Sequence, residues 1–310
     1  MYFPISDTHI NPVYLIAVGF IVGVLGGFFG VGGSFLVGPA LFGFGVPMNF
    51  VVGTDLTHIV GKSIVAARKH RTLGNIDLKL GGFMVFGTIA GVEAGAQVIQ
   101  QLKRTAHIDA VVGVSFIFIL VSISTFMAVE SWRTLIMRRT AGKSSVVPGK
   151  TSPKEDVSAF GHLAKKIQSF GLPPHISLPT SGIERISLWS ILIVAFLGGF
   201  FSGFLGGGAG YIRMPSMIYL LGIPTHIAVG TDLFEIIISA SYGTFTHAIK
   251  GNVDILIALV MHTGAAIGAQ IGATLTQFFV GARIRLAFIP LPLMGAVIIL
   301  HGLLTGHHSH

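Results

Sequence analysis

Apolar stretches long enough to cross a lipid bilayer recur along nearly the whole chain, and that pattern narrows the fold before any motif is read. A spanning helix needs about 20 consecutive apolar residues to cross a hydrocarbon core roughly 30 Å thick. Runs of that size lie at 48 to 68, 80 to 101 and 108 to 129, and again at 226 to 249, 254 to 279 and 285 to 304. The composition agrees: 52% of the 310 residues are hydrophobic and only 10% are charged, whereas a soluble domain carries about 25% charged residues. An all-α polytopic membrane protein is expected, with the lipid bilayer as its first partner.

The net charge of +8 does not point to nucleic acid. Lys and Arg gather at 68 to 79 and 131 to 185, beside apolar spans and without interleaved aromatic residues, which is the bias of cytoplasmic loops. The chain has no cysteine, so disulfides, thiolate metal sites and Cys nucleophiles are excluded. The first twelve residues contain no Lys or Arg, so the basic region of a cleaved signal peptide is missing and the apolar run from Val13 is expected to stay as the first span.

Sliding the chain against itself by 176 to 177 residues uncovers a duplication. Gly45, Pro47, Gly53, Thr54, Asp55 and Leu56 fall on Gly222, Pro224, Gly230, Thr231, Asp232 and Leu233. His70, Gly74, Asn75 and Asp77 fall on His247, Gly251, Asn252 and Asp254. The chain therefore divides into a first membrane repeat (1–130), a linker (131–185) and a second membrane repeat (186–310). Each repeat opens with a glycine-broken apolar stretch, 13 to 46 and 187 to 222. As one helix the first would be about 51 Å long, well beyond the bilayer core, so it must fold back. The hinges are Gly30 to Gly33 and Gly206 to Gly210. Two short broken helices plus three spans give 5+5 inverted repeats; re-entrant hairpins give 4+4 parallel ones. Inversion places Arg283 and Arg285 on the same side as the other basic loops and fits the charge rule better. In the linker, Val157, Phe160, Leu163, Ile167 and Phe170 share a face, as in a short helix on the membrane surface; disorder fits equally. Glycines four apart (Gly87, Gly91, Gly95; Gly264, Gly268, Gly272; Gly23 with Gly27; Gly199 with Gly203) are expected to bring helix backbones close together.

Ionisable residues inside a bilayer are costly, by about 2.5 to 3.5 kcal/mol each on the insertion scale, and need a reason. Asp55, His58 and Lys62 stand at i, i+3 and i+7, on one helical face, with Asp232, Glu235 and Ser239 at the duplicated positions. Asp55 and Asp232 also suit helix N-caps. Lys62 suits snorkelling, or an ion pair with Asp55 or Glu93. Glu93 lies where the second repeat has Gln270, as suits a proton acceptor needed once. Arg213, opposite Val37, either clamps an oxyanion or sits at the headgroups. The glycine hinges (Gly30, Gly32, Gly33 and Gly206, Gly207, Gly208) are the strongest anion-binding candidates, because a broken helix leaves amide N–H groups unpaired and turns positive dipole ends inward. Gly61-Lys62-Ser63 is not a phosphate-binding loop, since Leu56 occupies the required glycine position. The thirteen His residues form no HExxH pair, and no metal site, cofactor or catalytic residue is expected.

The signatures Gly26-Gly27-Phe28-Phe29-Gly30-Val31-Gly32-Gly33 with Pro39, and Gly203-Phe204-Leu205-Gly206-Gly207-Gly208 with Pro215, are each followed by Gly-Thr-Asp-Leu. Together they resemble the sulfite exporter TauE/SafE family of membrane permeases over nearly all of residues 13 to 304. Ser34 opposite Gly210, and Ala209 opposite Gly33, depart from the glycine pattern. The resemblance implies a multi-pass, non-enzymatic transporter of the bacterial cytoplasmic membrane that moves sulfite or an organosulfonate, coupled to an ion. On that reading Thr54, Thr231, Lys62 and Arg213 help the hinges bind the anion. Asp55, Asp232, Glu93, Glu235 and His58 are the pool of coupling residues. A homodimer, a transporter or channel for another small anion such as a carboxylate, and a membrane enzyme stay open.

Overall fold

The computed structural model describes residues 1–31, 34–104, 108–140, 161–169, 172–205 and 210–304. The first repeat contains α1 (Pro12–Phe29), α2 (Ser34–Gly43), α3 (Met48–Thr72), α4 (Leu78–Leu102) and α5 (Ile108–Thr140). A short α6 (Gly161–Gln168) follows. The second repeat contains α7 (Leu188–Leu205), α8 (Gly210–Ser216) running into a π-helical turn (Met217–Leu221), α9 (Thr225–Ile249), α10 (Ile255–Leu275), α11 (Gly281–Phe288) and α12 (Pro290–Leu304). Where the first repeat has the continuous α5, the second is interrupted next to Pro290, which lacks the N–H a helix interior requires. Among the described residues seven helices are long and apolar enough to span a membrane. Large side chains such as Phe86 and Phe118 project outward from them. The protein is a helical, multi-pass membrane protein.

The two glycine-broken stretches fold back, though not as pairs of short helices. α1 and α7 have 18 residues each, about 27 Å of rise and nearly the width of the core. Only the returning α2 and α8, with 10 and 7 residues, are short. α1 begins where the Asn11 side chain accepts a hydrogen bond from the Val13 amide at 3.0 Å, with Pro12 in the first turn. It ends at Gly30, whose φ of +76° is left-handed and strained for any residue with a Cβ. Gly32, Gly33, Gly206, Gly207 and Gly208 lie outside the described residues, as do Val157, Phe160 and Phe170 of the linker. Within the linker a short helix is present over a narrower range, as α6, and its Gln168 side chain donates to the Leu221 carbonyl at 2.8 Å.

The glycine series decides which helices meet. A methyl group placed on Gly87, Gly91 or Gly95 of α4 would lie 2.2 to 2.6 Å from carbonyl oxygens of Leu192, Phe196 and Phe200 on α7. The same substitution at Gly264, Gly268 or Gly272 of α10 would meet the carbonyls of Ile16, Phe20 and Val24 on α1 at 1.9 to 2.2 Å. Gly19, Gly23 and Gly27 of α1 return the contact to Met261, Ala265 and Ala269. Numbering rises together along both pairs, so each is parallel, and each joins the first helix of one repeat to the fourth of the other. The repeats are interlocked, with backbone approaches that only glycine allows.

α3 and α9 cross between the repeats in the opposite sense. Thr54, near the start of α3, accepts a hydrogen bond from the Asp254 amide beyond the end of α9, at 2.8 Å. Thr231, near the start of α9, accepts one from the Asp77 amide beyond the end of α3, at 2.9 Å. Equivalent helices of the two repeats are therefore antiparallel. Asp77 and Asp254 are N-caps: their carboxylates accept from the Leu80 amide and from the Leu256 and Ile257 amides. Asp55 and Asp232 are not caps, since each is the eighth residue of its helix.

Two small hairpins were not foreseen. β1 (Tyr2–Phe3) pairs with β2 (Thr8–His9), and β3 (His175–Leu178) with β4 (Ile183–Ser187). Each binds the cap of the opposite repeat: the Ser6 hydroxyl donates to Asp254 Oδ2, and the Ser181 hydroxyl to Asp77 Oδ2, both at 2.7 Å. The second hairpin falls largely within the segment read as linker, and the first precedes α1, so both hairpins lead into a repeat in the same way.

Candidate functional site

The duplicated polar faces of α3 and α9 turn inward. Asp55, His58 and Lys62 are each at most 2% exposed, and Asp232 and Glu235 are wholly buried. On α3, Lys62 Nζ lies 3.3 Å from His58 Nδ1, which is 3.9 Å from Asp55 Oδ1. Lys62 and Asp55 act on each other electrostatically. On α9, Ser239 donates to Glu235 Oε2 at 3.3 Å.

Arg213 is fully buried on α8. Its Nε bonds Asp232 Oδ1, and its Nη1 lies 2.5 Å from Glu235 Oε2. A buried guanidinium held by two carboxylates is compensated, whereas either carboxylate alone would be costly. Both of these partners belong to Arg213's own repeat. The first repeat carries Val37 at that position, so Asp55 has no equivalent arginine.

The flanks of the two broken stretches converge on this cluster. A methyl group on Gly210, the first residue of α8, would lie 2.5 Å from both the Val31 Cα and Asp232 Oδ2. One on Gly30 would lie 2.6 Å from the Val229 Cα of α9. The chain entering the first hinge thus abuts the chain leaving the second, beside a buried carboxylate. Next to Gly210, the buried Tyr211 ring packs on Phe116 with centroids 6.0 Å apart, and it lies within the field of Asp55. From α10, His262 packs against Gly61, close to His58 and Lys62.

Buried polar groups are nearly always hydrogen-bonded, and exceptions mark ions, waters or ligands. Here both oxygens of Asp55, His58 Nε2, Ser63 Oγ, Tyr211 Oη, Asp232 Oδ2 and Glu235 Oε1 have no hydrogen-bond partner among the described residues. Most of these atoms belong to residues of the α3–α8–α9 cluster.

Two groups of sequence candidates stand apart from it. The Thr54 and Thr231 hydroxyls are occupied by the amides of Asp254 and Asp77. Glu93 is half-buried on α4, 3.4 Å from Lys250 Nζ, and accepts from Gln97, Tyr242 and Thr246. Tyr211 and His262 were not singled out from sequence. Neither has a charged neighbour at helical spacing, so the only available signal was the position of Tyr211 two residues before Arg213.

Interlocked helical repeats enclosing a charged cluster in an apolar exterior define a multi-pass membrane protein with a buried polar site. The family model for sulfite exporter TauE/SafE matches residues 15–299, and the chain belongs to that family. A probable membrane transporter protein of Bacillus subtilis, YunE, is 24% identical over 86% of this chain and 88% of its own length. A second from the same bacterium, YjnA, is 23% identical over 86% of this chain and 91% of its own. An Arabidopsis thaliana protein named sulfite exporter TauE/SafE family protein 5 is 26% identical over 41% of this chain and 29% of its own length. No solved structure matches the chain.

Proposed function

We propose that this protein is a secondary transporter of a small sulfur-containing anion, sulfite or an organosulfonate, in the bacterial cytoplasmic membrane, driven by an ion gradient. The observation that carries the reading is the meeting of Val31 and Gly210 at a buried cluster in which several polar atoms have no hydrogen-bond partner among the described residues. The donors assigned to the anion are Lys62, the Tyr211 hydroxyl and the amides of the two glycine segments, which bind oxyanions without adding net charge. Arg213 positions Asp232 and Glu235 and is not itself the clamp. Thr54 and Thr231 tie the repeats together and are left out of the binding set. Antiparallel repeats interlocked through glycine contacts suit alternating access by rocking of one bundle against the other. The family and the names of its members support the transport class, and the sulfur anion rests on the family alone.

Purified protein in liposomes, given labelled sulfite or methanesulfonate under an imposed pH gradient, is expected to accumulate label. Unlabelled sulfite should compete, and acetate or phosphate should not. Absence of flux for both sulfur anions overturns the substrate assignment.

A further inference from the structure

The two repeats place carboxylates at equivalent positions but treat them differently, and we infer from this that Asp55 carries the coupling proton while Asp232 and Glu235 do not. This rests on the anion-transport reading above and names the coupling ion and its site.

Asp232 and Glu235 each have one oxygen held by Arg213 within the second repeat. Asp55 is 1% exposed and neither of its oxygens has a hydrogen-bond partner among the described residues. The groups facing it are Lys62 and His58 from its own helix and Tyr211 from α8, with His262 of α10 behind His58 and Lys62. Formally the cluster holds three carboxylates against Arg213 and Lys62, leaving one excess negative charge before any substrate enters. An incoming anion would compete with ionised Asp55 for the single ammonium of Lys62. A proton on Asp55 removes that competition, converts one of its oxygens from acceptor to donor, and leaves Lys62 to the anion. Anion and proton are then taken up together and travel in the same direction.

The test uses full-length protein in liposomes with the membrane potential clamped by potassium and valinomycin. One coupled proton under a gradient of about one pH unit supports about tenfold accumulation of the anion. Asp55→Asn is expected to abolish both accumulation and anion-driven internal acidification, yet to retain exchange of labelled for unlabelled anion. Asp55→Glu should restore coupling in part. Persistent proton-driven accumulation in Asp55→Asn overturns the assignment while leaving anion transport intact; no anion flux in the unaltered protein overturns the transport reading instead. Should Asp55→Asn fail to fold, the unaltered protein decides through reaction with an apolar carbodiimide, which adds to protonated carboxyls in apolar sites. A mass-spectrometric adduct on Asp55 that substrate prevents supports the inference, and an adduct on Asp232 or Glu235 with Asp55 unmodified refutes it.

Discussion

Buried charge in this protein is handled pair by pair, and the pairs differ in what they tolerate. Truncating Arg213 to Met leaves Asp232 and Glu235 buried without a cation, which should cost about 3 to 5 kcal/mol. Thermal unfolding in detergent should show a large drop that adding Asp232→Asn and Glu235→Gln partly reverses; an unchanged midpoint would mean that the triad is not what compensates these charges. The caps make a milder claim. Asp77→Ala and Asp254→Ala each remove a cap and a tie to a hairpin serine, and each is expected to cost about 1 to 2 kcal/mol. Asp254 also accepts from the Ser6 amide and from a second helix amide, so both losses should be measurable and that at Asp254 the larger. A loss at one site only would argue against equivalent roles. The i, i+3, i+7 spacing of Asp55, His58 and Lys62 was readable in sequence, since it depends only on helical period. The occupation of Thr54 and Thr231 was not, as their partners lie 200 and 154 residues away.

The helices are held by contacts that no side chain can enter. Gly91→Leu or Gly268→Leu would drive a side chain into the carbonyl oxygens of Phe196 or Phe20, 2.2 Å from a Cβ at each position. Either should abolish recovery of monodisperse protein, because each forces apart a pair joining both repeats. Gly82→Leu on the exposed side of α4, where nothing lies within 4 Å, should be tolerated. Size-exclusion profiles of the three variants settle the comparison, and normal recovery of Gly91→Leu would overturn the interface. The four-residue glycine spacing announces close packing, but a repeat of small residues does not name its partner helix. The sense of the exchange, α1 on α10 and α4 on α7, emerges only when both surfaces are brought together.

Across the whole molecule, inversion sorts the loops. α4 rises about 37 Å, more than the bilayer core, so its ends emerge on opposite sides. Lys79, bonded to Ser177 of the second hairpin, marks one side; Lys103, bonded to Asn252, marks the other. Since the chain lacks cysteine, a membrane-impermeant maleimide on intact cells should label Lys103→Cys and leave Lys79→Cys for permeabilised cells. The reverse pattern would turn the molecule over, and labelling of both from outside would contradict the spans. Membrane residence, the doubled architecture and the identity of the inward-facing charges could all be read along the chain, because transfer into lipid and helical periodicity are properties of short segments. The interlocking of the repeats, the capture of Arg213 by Asp232 and Glu235, and the lack of hydrogen-bond partners for the Asp55 oxygens among the described residues could not. They arise from packing between segments far apart in the chain, where the free energy of a charge is set by whichever neighbours the fold delivers.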